Sequence, residues 1–294
     1  IQLHRVISDI TGKTGMKIIR AILAGERDPL KLSELRDPRI KASPEKIATA
    51  LQGDYRAELL FILQQEVTLY ETYCQQIQAG DIRIEQYLRQ FEPKVNLEEQ
   101  PLPALKRRRK KSYGNAPSID LPTYLYQISG VDFTQIDGIG ALSALNILSE
   151  VGLDPSRFPG VKHFTSWLGL CPGSRIIGGK VKSSRTRQVV NRAANAFRMA
   201  AQSLANSQSA LGAFYRRLRN RLGAPKAITA TAHKLARIFY KLWTDGGPYL
   251  DPGVDAYEQQ YRDRLVKNLK RKAKSLGFEM LPQNSANEAT EFVS

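Results

Sequence analysis

Acidic residues are missing from a long stretch of this 294-residue chain: between Pro155 and Thr244 there is neither Asp nor Glu. The same 90 residues hold 17 Lys and Arg, one more than the net charge of +16 carried by the whole chain. The absence excludes chemistry that needs carboxylates there. A two-metal phosphoryl-transfer site has no acidic ligands to hold its ions, and a Ser-His-Asp triad lacks its acid. Cysteine and histidine are nearly as scarce, with two and three in the whole chain. Cys74 and Cys171 show no metal-ligand spacing, and His163, Cys171 and His233 are too sparse for a zinc site. Such cysteine usage suits a reducing cytosol. No apolar run approaches the roughly 20 residues that span a bilayer, and no signal peptide opens the chain. A cytoplasmic, membrane-free protein is expected. The first residue is Ile1 rather than Met, so the numbered sequence is expected to be part of a longer gene product.

What is present points the other way from disorder. Hydrophobic residues make up 42% of the chain, enough for a sizeable core. Soluble helices normally mix charge signs on their exposed faces. A long single-sign segment with helical apolar periodicity is therefore expected to lie against an anion, and a phosphate backbone is the default partner at a pI near 9.9.

The periodicity predicts a mostly α-helical fold. In residues 1–42, "VISDITGKTGMKIIRAILAG" reads as a helix, a glycine hairpin and a second helix ending near Gly25. "GKTG" is not a phosphate loop, because the position five residues before its Gly-Lys pair is Ile7. Residues 43–92 start with Ser43-Pro44, a good N-cap followed by Pro at the first helical position. Apolar residues then recur three and four apart to Leu88, which predicts a helical hairpin or coiled-coil arm. Residues 93–122 are Pro-rich, contain the basic run Lys106 to Lys111, and read as a linker. Residues 123–280 carry the remaining helices, and 281–294 read as a frayed, disordered tail.

Two motifs stand out. Ile136-Asp137-Gly138-Ile139-Gly140 has the shape of a helix-hairpin-helix, in which Gly138 and Gly140 let backbone N–H groups approach a DNA phosphate. A simple glycine-capped helical turn reads the same way, and "ITGKTGMKIIRAI" resembles a weaker copy. "SRIIGGKVKSSRTR", from Ser174 to Arg187, sets Gly178 and Gly179 among Lys180, Lys182, Arg185 and Arg187. A glycine-rich loop or short hairpin is expected there, then a helix from about Ser184 with Val189, Val190 and Ala193 on its buried side and Arg192 towards another face. The basic helix "LGAFYRRLRNRLG" adds Arg216 and Arg217 to the cations expected on nucleic acid. A serine can attack a DNA phosphate where arginines stabilise the transition state, and the hydroxyls near the loop are Ser174, Ser183, Ser184 and Thr186. Ser184 serves equally well as a helix N-cap.

At "FTSWLGLCP", "GGKVKSSRTR", "NRAANAFRMAA", "LGAFYRRLRNRLGAPKAITATAHKLARIFY" and "YEQQYRDRLVKNLKRKAKSLGF" the chain resembles the C-terminal half of insertion-sequence transposases of the IS-one-ten type, the bridge-RNA-guided DEDD/serine recombinases. The resemblance implies a two-part active site. An N-terminal RuvC-like domain with spaced Asp and Glu would hold a divalent metal, Mg, and a C-terminal domain would supply a serine that becomes joined to DNA. It also implies a coiled coil that assembles dimers and tetramers on duplex DNA at element ends and target, a structured non-coding bridge RNA, and a nucleoid-associated bacterial setting. Two departures stand against the pattern. The RuvC-like carboxylates are not among these residues, so no cofactor is expected in this chain. The serine that precedes Gly-Gly-Lys in relatives is here Ile177, with Ser183 and Ser184 as weak substitutes. The expectation is a truncated or degenerate transposase that binds nucleic acid without recombining it alone; the alternative is a non-catalytic helix-hairpin-helix DNA- or RNA-binding protein.

Overall fold

The computed structural model describes residues 1–103, 117–183 and 185–281. These are mostly helical, with one two-stranded antiparallel ladder. The chain divides into two compact units, Ile1–Arg83 and Ile84–Ser294.

In the first unit the expected opening helix is absent. A 3-10 turn spans Leu3–Arg5, and the Asp9 carboxylate then accepts from the N–H groups of Thr11 (2.9 Å) and Gly12 (3.1 Å). That local bonding offers the backbone an alternative to a helix. Three helices follow: α1 (Lys13–Leu23), α2 (Pro29–Glu34) and α3 (Pro44–Leu51). Their buried faces meet through Ile18, Ile22, Leu32, Ile47 and Leu51. α3 starts as the sequence predicts, with the Ser43 hydroxyl accepting from Lys46 N–H. The predicted helical run from Ser43 does not continue unbroken. Gln52 is extended, and a new helix, α4 (Ala57–Leu88), begins five residues later. At 32 residues it is about 48 Å long, and Leu59, Phe61, Ile62, Leu69, Tyr73 and Ile77 along it are exposed.

In the second unit, the N–H groups of Lys94 and Val95 both donate to the Gln127 carbonyl (2.9 and 3.3 Å), so the start of the Pro-rich segment is held rather than free. The basic run Lys106 to Lys111, Ser184 and tail residues 282–294 lie outside the described residues. α5 (Leu121–Ser129) ends at Gly130; α6 (Ala141–Val151) and α7 (Val161–Trp167) lead to strands β1 (Arg175–Ile177) and β2 (Lys180–Ser183). Then come α8 (Arg192–Ser203), α9 (Ala210–Leu222), α10 (Ala224–Asp245) and α11 (Gly253–Ser275). α8 lies between α6 and α10 and buries Ala193, Ala194, Phe197, Ala200 and Ala201. The small side chains allow its neighbours to approach closely. Aromatics fill the centre: Phe133 stacks on Phe239 at 4.1 Å, and Phe197 meets Phe239 edge-on at 5.5 Å.

α8 starts eight residues later than the sequence predicts. Val190 is fully exposed, and Asn191 is the N-cap, its side chain accepting from Ala194 N–H at 2.8 Å. Residues 185–190 form no helix. Gly173 N–H donates to the Arg185 carbonyl (3.0 Å), and Pro172 bridges Thr186, so the chain stays extended until an amide side chain can cap the helix.

Candidate nucleic-acid interface

The glycine-bearing stretch folds as a hairpin. β1 and β2 pair antiparallel, with Ile177 opposite Lys180 and Arg175 opposite Ser183. The connection is Gly178-Gly179, with φ of +57° and +73°. Two consecutive residues at positive φ are what a tight two-residue hairpin turn of the favoured twist demands. Nothing stands within 4 Å of a Cβ added at either one, so backbone conformation rather than crowding calls for glycine. The base is clamped by the Pro172–Gly173 ladder and by Gly169, where an added Cβ would stand 2.2 Å from Val189 Cγ2. Arg187 reinforces it, donating to the Ser166 carbonyl at 2.9 Å and to its hydroxyl at 3.3 Å.

Along this hairpin Lys180, Lys182 and Arg185 are exposed, and none forms a salt bridge with a described residue. Arg187 is exposed too, but carbonyl-bound. The other predicted cations are placed differently. Arg192, at the start of α8, pairs with Glu150 of α6. Arg216 donates to the carbonyls of Ala205 (3.3 Å) and Ser207 (2.5 Å), closing the turn before α9. Arg217 pairs with Glu258 of α11 and lies 3.4 Å over the Tyr261 ring. Arg216 and Arg217 therefore hold α9 in place, and neither joins the hairpin cluster. Lys234 is engaged likewise, 4.3 Å over the Phe214 ring. Its pKa is lowered by burial first, then by Arg264. Neither Glu150 nor Glu258 is legible as a partner in the sequence, since each stands about forty residues from its arginine.

Where the resemblance seats a nucleophile, the structure places the half-exposed aliphatic Ile177, with 52% of its surface open. Its side chain cannot attack phosphorus. Ser183 pairs with Arg175 at the base of the hairpin, two residues or about 7 Å along the strand from Ile177, and its hydroxyl accepts from Arg185 N–H at 3.3 Å. Ser184 lies outside the described residues. Below the hairpin, Cys171 Sγ is 3.1 Å from Thr165 Oγ1 and 3.7 Å from His233 Nε2. Two residues that look unrelated in sequence thus meet, but no group of three His, Cys, Asp or Glu that could hold a metal ion occurs among the described residues.

The candidate helix-hairpin-helix lies between α5 and α6. Gly138 has φ +89°, and an added Cβ would stand 2.7 Å from the Ala200 carbonyl oxygen and 3.1 Å from Leu204 Cγ. Its lack of a side chain is used inward, against α8. Gly140 is the N-cap of α6 with no side-chain cap and open space around it. The first N–H groups of an α-helix have no acceptor within the helix. At α6 they follow a residue without a Cβ.

Residues 132–216 match the model described as Transposase IS116/IS110/IS902 family. The match runs from just before the 136–140 turn through the hairpin into α9, so this part of the chain is similar to the insertion-sequence transposases of that family. No curated protein and no solved structure matches the chain. No described helix is long and apolar enough to cross a membrane.

Proposed function

We propose that the chain binds DNA as part of an insertion-sequence transposase. The β1–β2 hairpin contacts the phosphate backbone, and the uncapped N-terminus of α6 contacts a second phosphate. The observation that carries the reading is the hairpin itself: three exposed cations without an acidic partner among the described residues, in a segment that matches a transposase family. A structured RNA is the further partner that the resemblance implies, and the same cations suit its phosphates. The exposed apolar residues of α4 support self-association as a coiled coil.

Ile177 favours a second statement about activity: this chain holds nucleic acid but makes no covalent bond to it at the hairpin. A protein–DNA species that survives denaturation would overturn that statement.

Binding is tested by anisotropy of a labelled duplex across a salt series. The triple variant Lys180→Ala, Lys182→Ala, Arg185→Ala should reduce the slope of log affinity against log salt by about 0.9 per lost phosphate contact. Arg216→Ala should leave the slope unchanged. Equal slopes for wild type and triple variant would refute the interface.

A further inference from the structure

Beside the hairpin's base, a pocket of about 360 Å³ opens between the end of α6 and α7, lined by Glu150, Val151, Arg157, Phe158, His163 and Trp167. Phe158 is anchored in the core, edge-on to Phe164 at 5.1 Å, and its carbonyl accepts from the Tyr240 hydroxyl at 2.8 Å. Trp167 lies 5.5 Å from Phe158, tilted by 60°, and is 42% exposed. A large indole left open beside a fixed phenyl ring offers a flat ligand two π-surfaces. The polar groups are Glu150, Arg157 and His163, an acceptor, a donor and an imidazole. Arg157 forms no salt bridge among the described residues, although its charge helps to lower the pKa of Asp154, and its guanidinium donates to the Val151 carbonyl at 3.4 Å. Glu150 is held by Arg192, and a carboxylate has lone pairs to spare beyond one partner. The flanks are cationic: Lys162 is exposed, and Arg187 is bonded to Ser166, the residue before Trp167.

Aromatic faces with adjacent donors and acceptors, on a surface that attracts phosphate, are how unstacked bases are held. We infer that this pocket takes one splayed nucleobase of a bound nucleic acid, stacked on Trp167 and bonded at its edge by Glu150 and Arg157. The inference rests on the nucleic-acid reading above and adds a preference for unpaired over fully paired strands.

The two tryptophans make it testable, because Trp243 is 5% exposed and Trp167 is open. The full chain carrying Trp243→Phe is titrated with a short labelled single-stranded DNA of mixed sequence, and separately with heparin, a polyanion without bases. Anisotropy reports binding of the strand, calorimetry reports binding of heparin, and tryptophan emission reports stacking. The strand should quench Trp167 and heparin should not. Trp167→Ala should weaken the strand by roughly ten- to a hundredfold, the range for losing one stacked base, with heparin affinity kept. If Trp243→Phe misfolds, the same comparison is made between the unaltered chain and Trp167→Phe, where the quench should vanish. Strand binding without a quench, and with Trp167→Ala at full affinity, overturns the pocket but leaves the hairpin interface standing. No binding of either polyanion overturns both.

Discussion

Gly138 and Gly140 stand two residues apart in the same turn, and two small substitutions separate the packing of the first from the phosphate contact proposed beside the second. Gly138→Ala places a Cβ at φ +89°, 2.7 Å from the Ala200 carbonyl oxygen. The left-handed backbone costs a residue with a side chain about 1–2 kcal/mol. Pushing α8 aside adds about 1–3 kcal/mol of overpacking. The expected loss is about 2–5 kcal/mol, or a fall in Tm of roughly 5–15 °C for a unit of this size. Gly140→Ala meets open space at an ordinary φ of −90°, and replacing glycine by alanine at an N-cap costs less than about 1 kcal/mol. Its methyl does, however, stand beside the open N–H groups of α6. Thermal unfolding and DNA anisotropy well below the melting temperature read the two effects. Gly138→Ala should melt early, and Gly140→Ala should melt normally but bind DNA more weakly. A Tm for Gly138→Ala within about 2 °C of wild type would refute the packing argument. Undiminished affinity of Gly140→Ala would refute the phosphate contact.

Two further outcomes follow from groups outside the hairpin cluster. Arg217→Ala removes the Glu258 pair and the stack on Tyr261. With both pair members partly exposed, solvent screening limits the loss to about 1–2 kcal/mol, measured by urea unfolding, while DNA affinity should stay unchanged. His233 is half-buried, and burial, followed by Arg237, lowers its pKa below the ordinary 6.5. The unfolded imidazole takes up a proton near 6.5 while the folded one resists. Stability should therefore fall as pH drops below about 6.5, over the interval down to the lowered folded value. His233→Gln should flatten that part of the curve, and an identical slope in the variant would show that another group is responsible.

The helices were largely legible because their ends carry local chemistry. Ser43-Pro44 opens α3, and Gly223 with Pro225 separates α9 from α10. The hairpin was legible for the same reason, since Gly-Gly between an aliphatic strand and a basic one is a turn signal. The start of α8 was not. Val189, Val190, Ala193 and Ala194 fit a helical period, yet the first two belong to an extended return held by Gly169 and Gly173 across the ladder, contacts that no local window contains. The inward packing of Gly138 was hidden for a related reason: the sequence shows a glycine in a turn, whereas the structure shows that α8, far along the chain, leaves no room for a side chain there. The aromatic pocket left a trace in "RFPGVKHFTSW", basic and aromatic residues interleaved. Its acceptor, Glu150, comes from the preceding helix, so the constellation was hidden.

The acid-free stretch raises a question that folding alone does not answer, namely why 17 cations stand without an intervening carboxylate. Where cations of this segment serve the fold, partners come from elsewhere. Glu150 and Glu258 lie outside it, and Arg216, Arg217 and Lys234 use carbonyls or rings. Among the described residues Lys180, Lys182 and Arg185 have no acidic partner, so an acid there is not needed for stability; either a phosphate-facing surface excludes it, or its absence has another cause. This separates the two explanations by a single substitution. Gln188 is exposed in the extended segment that leads to α8, directly after Arg187. Gln188→Glu changes one surface charge and should alter stability by no more than about 0.5 kcal/mol. If the segment faces phosphate, the new carboxylate sits in the interface, and DNA affinity should fall most steeply at low salt, where screening is weakest. Gln188→Ala, which removes the same amide without adding charge, is the control. Equal affinities for the Glu and Ala variants at low salt would mean that this side of the hairpin faces solvent, and that the missing acids have some other cause.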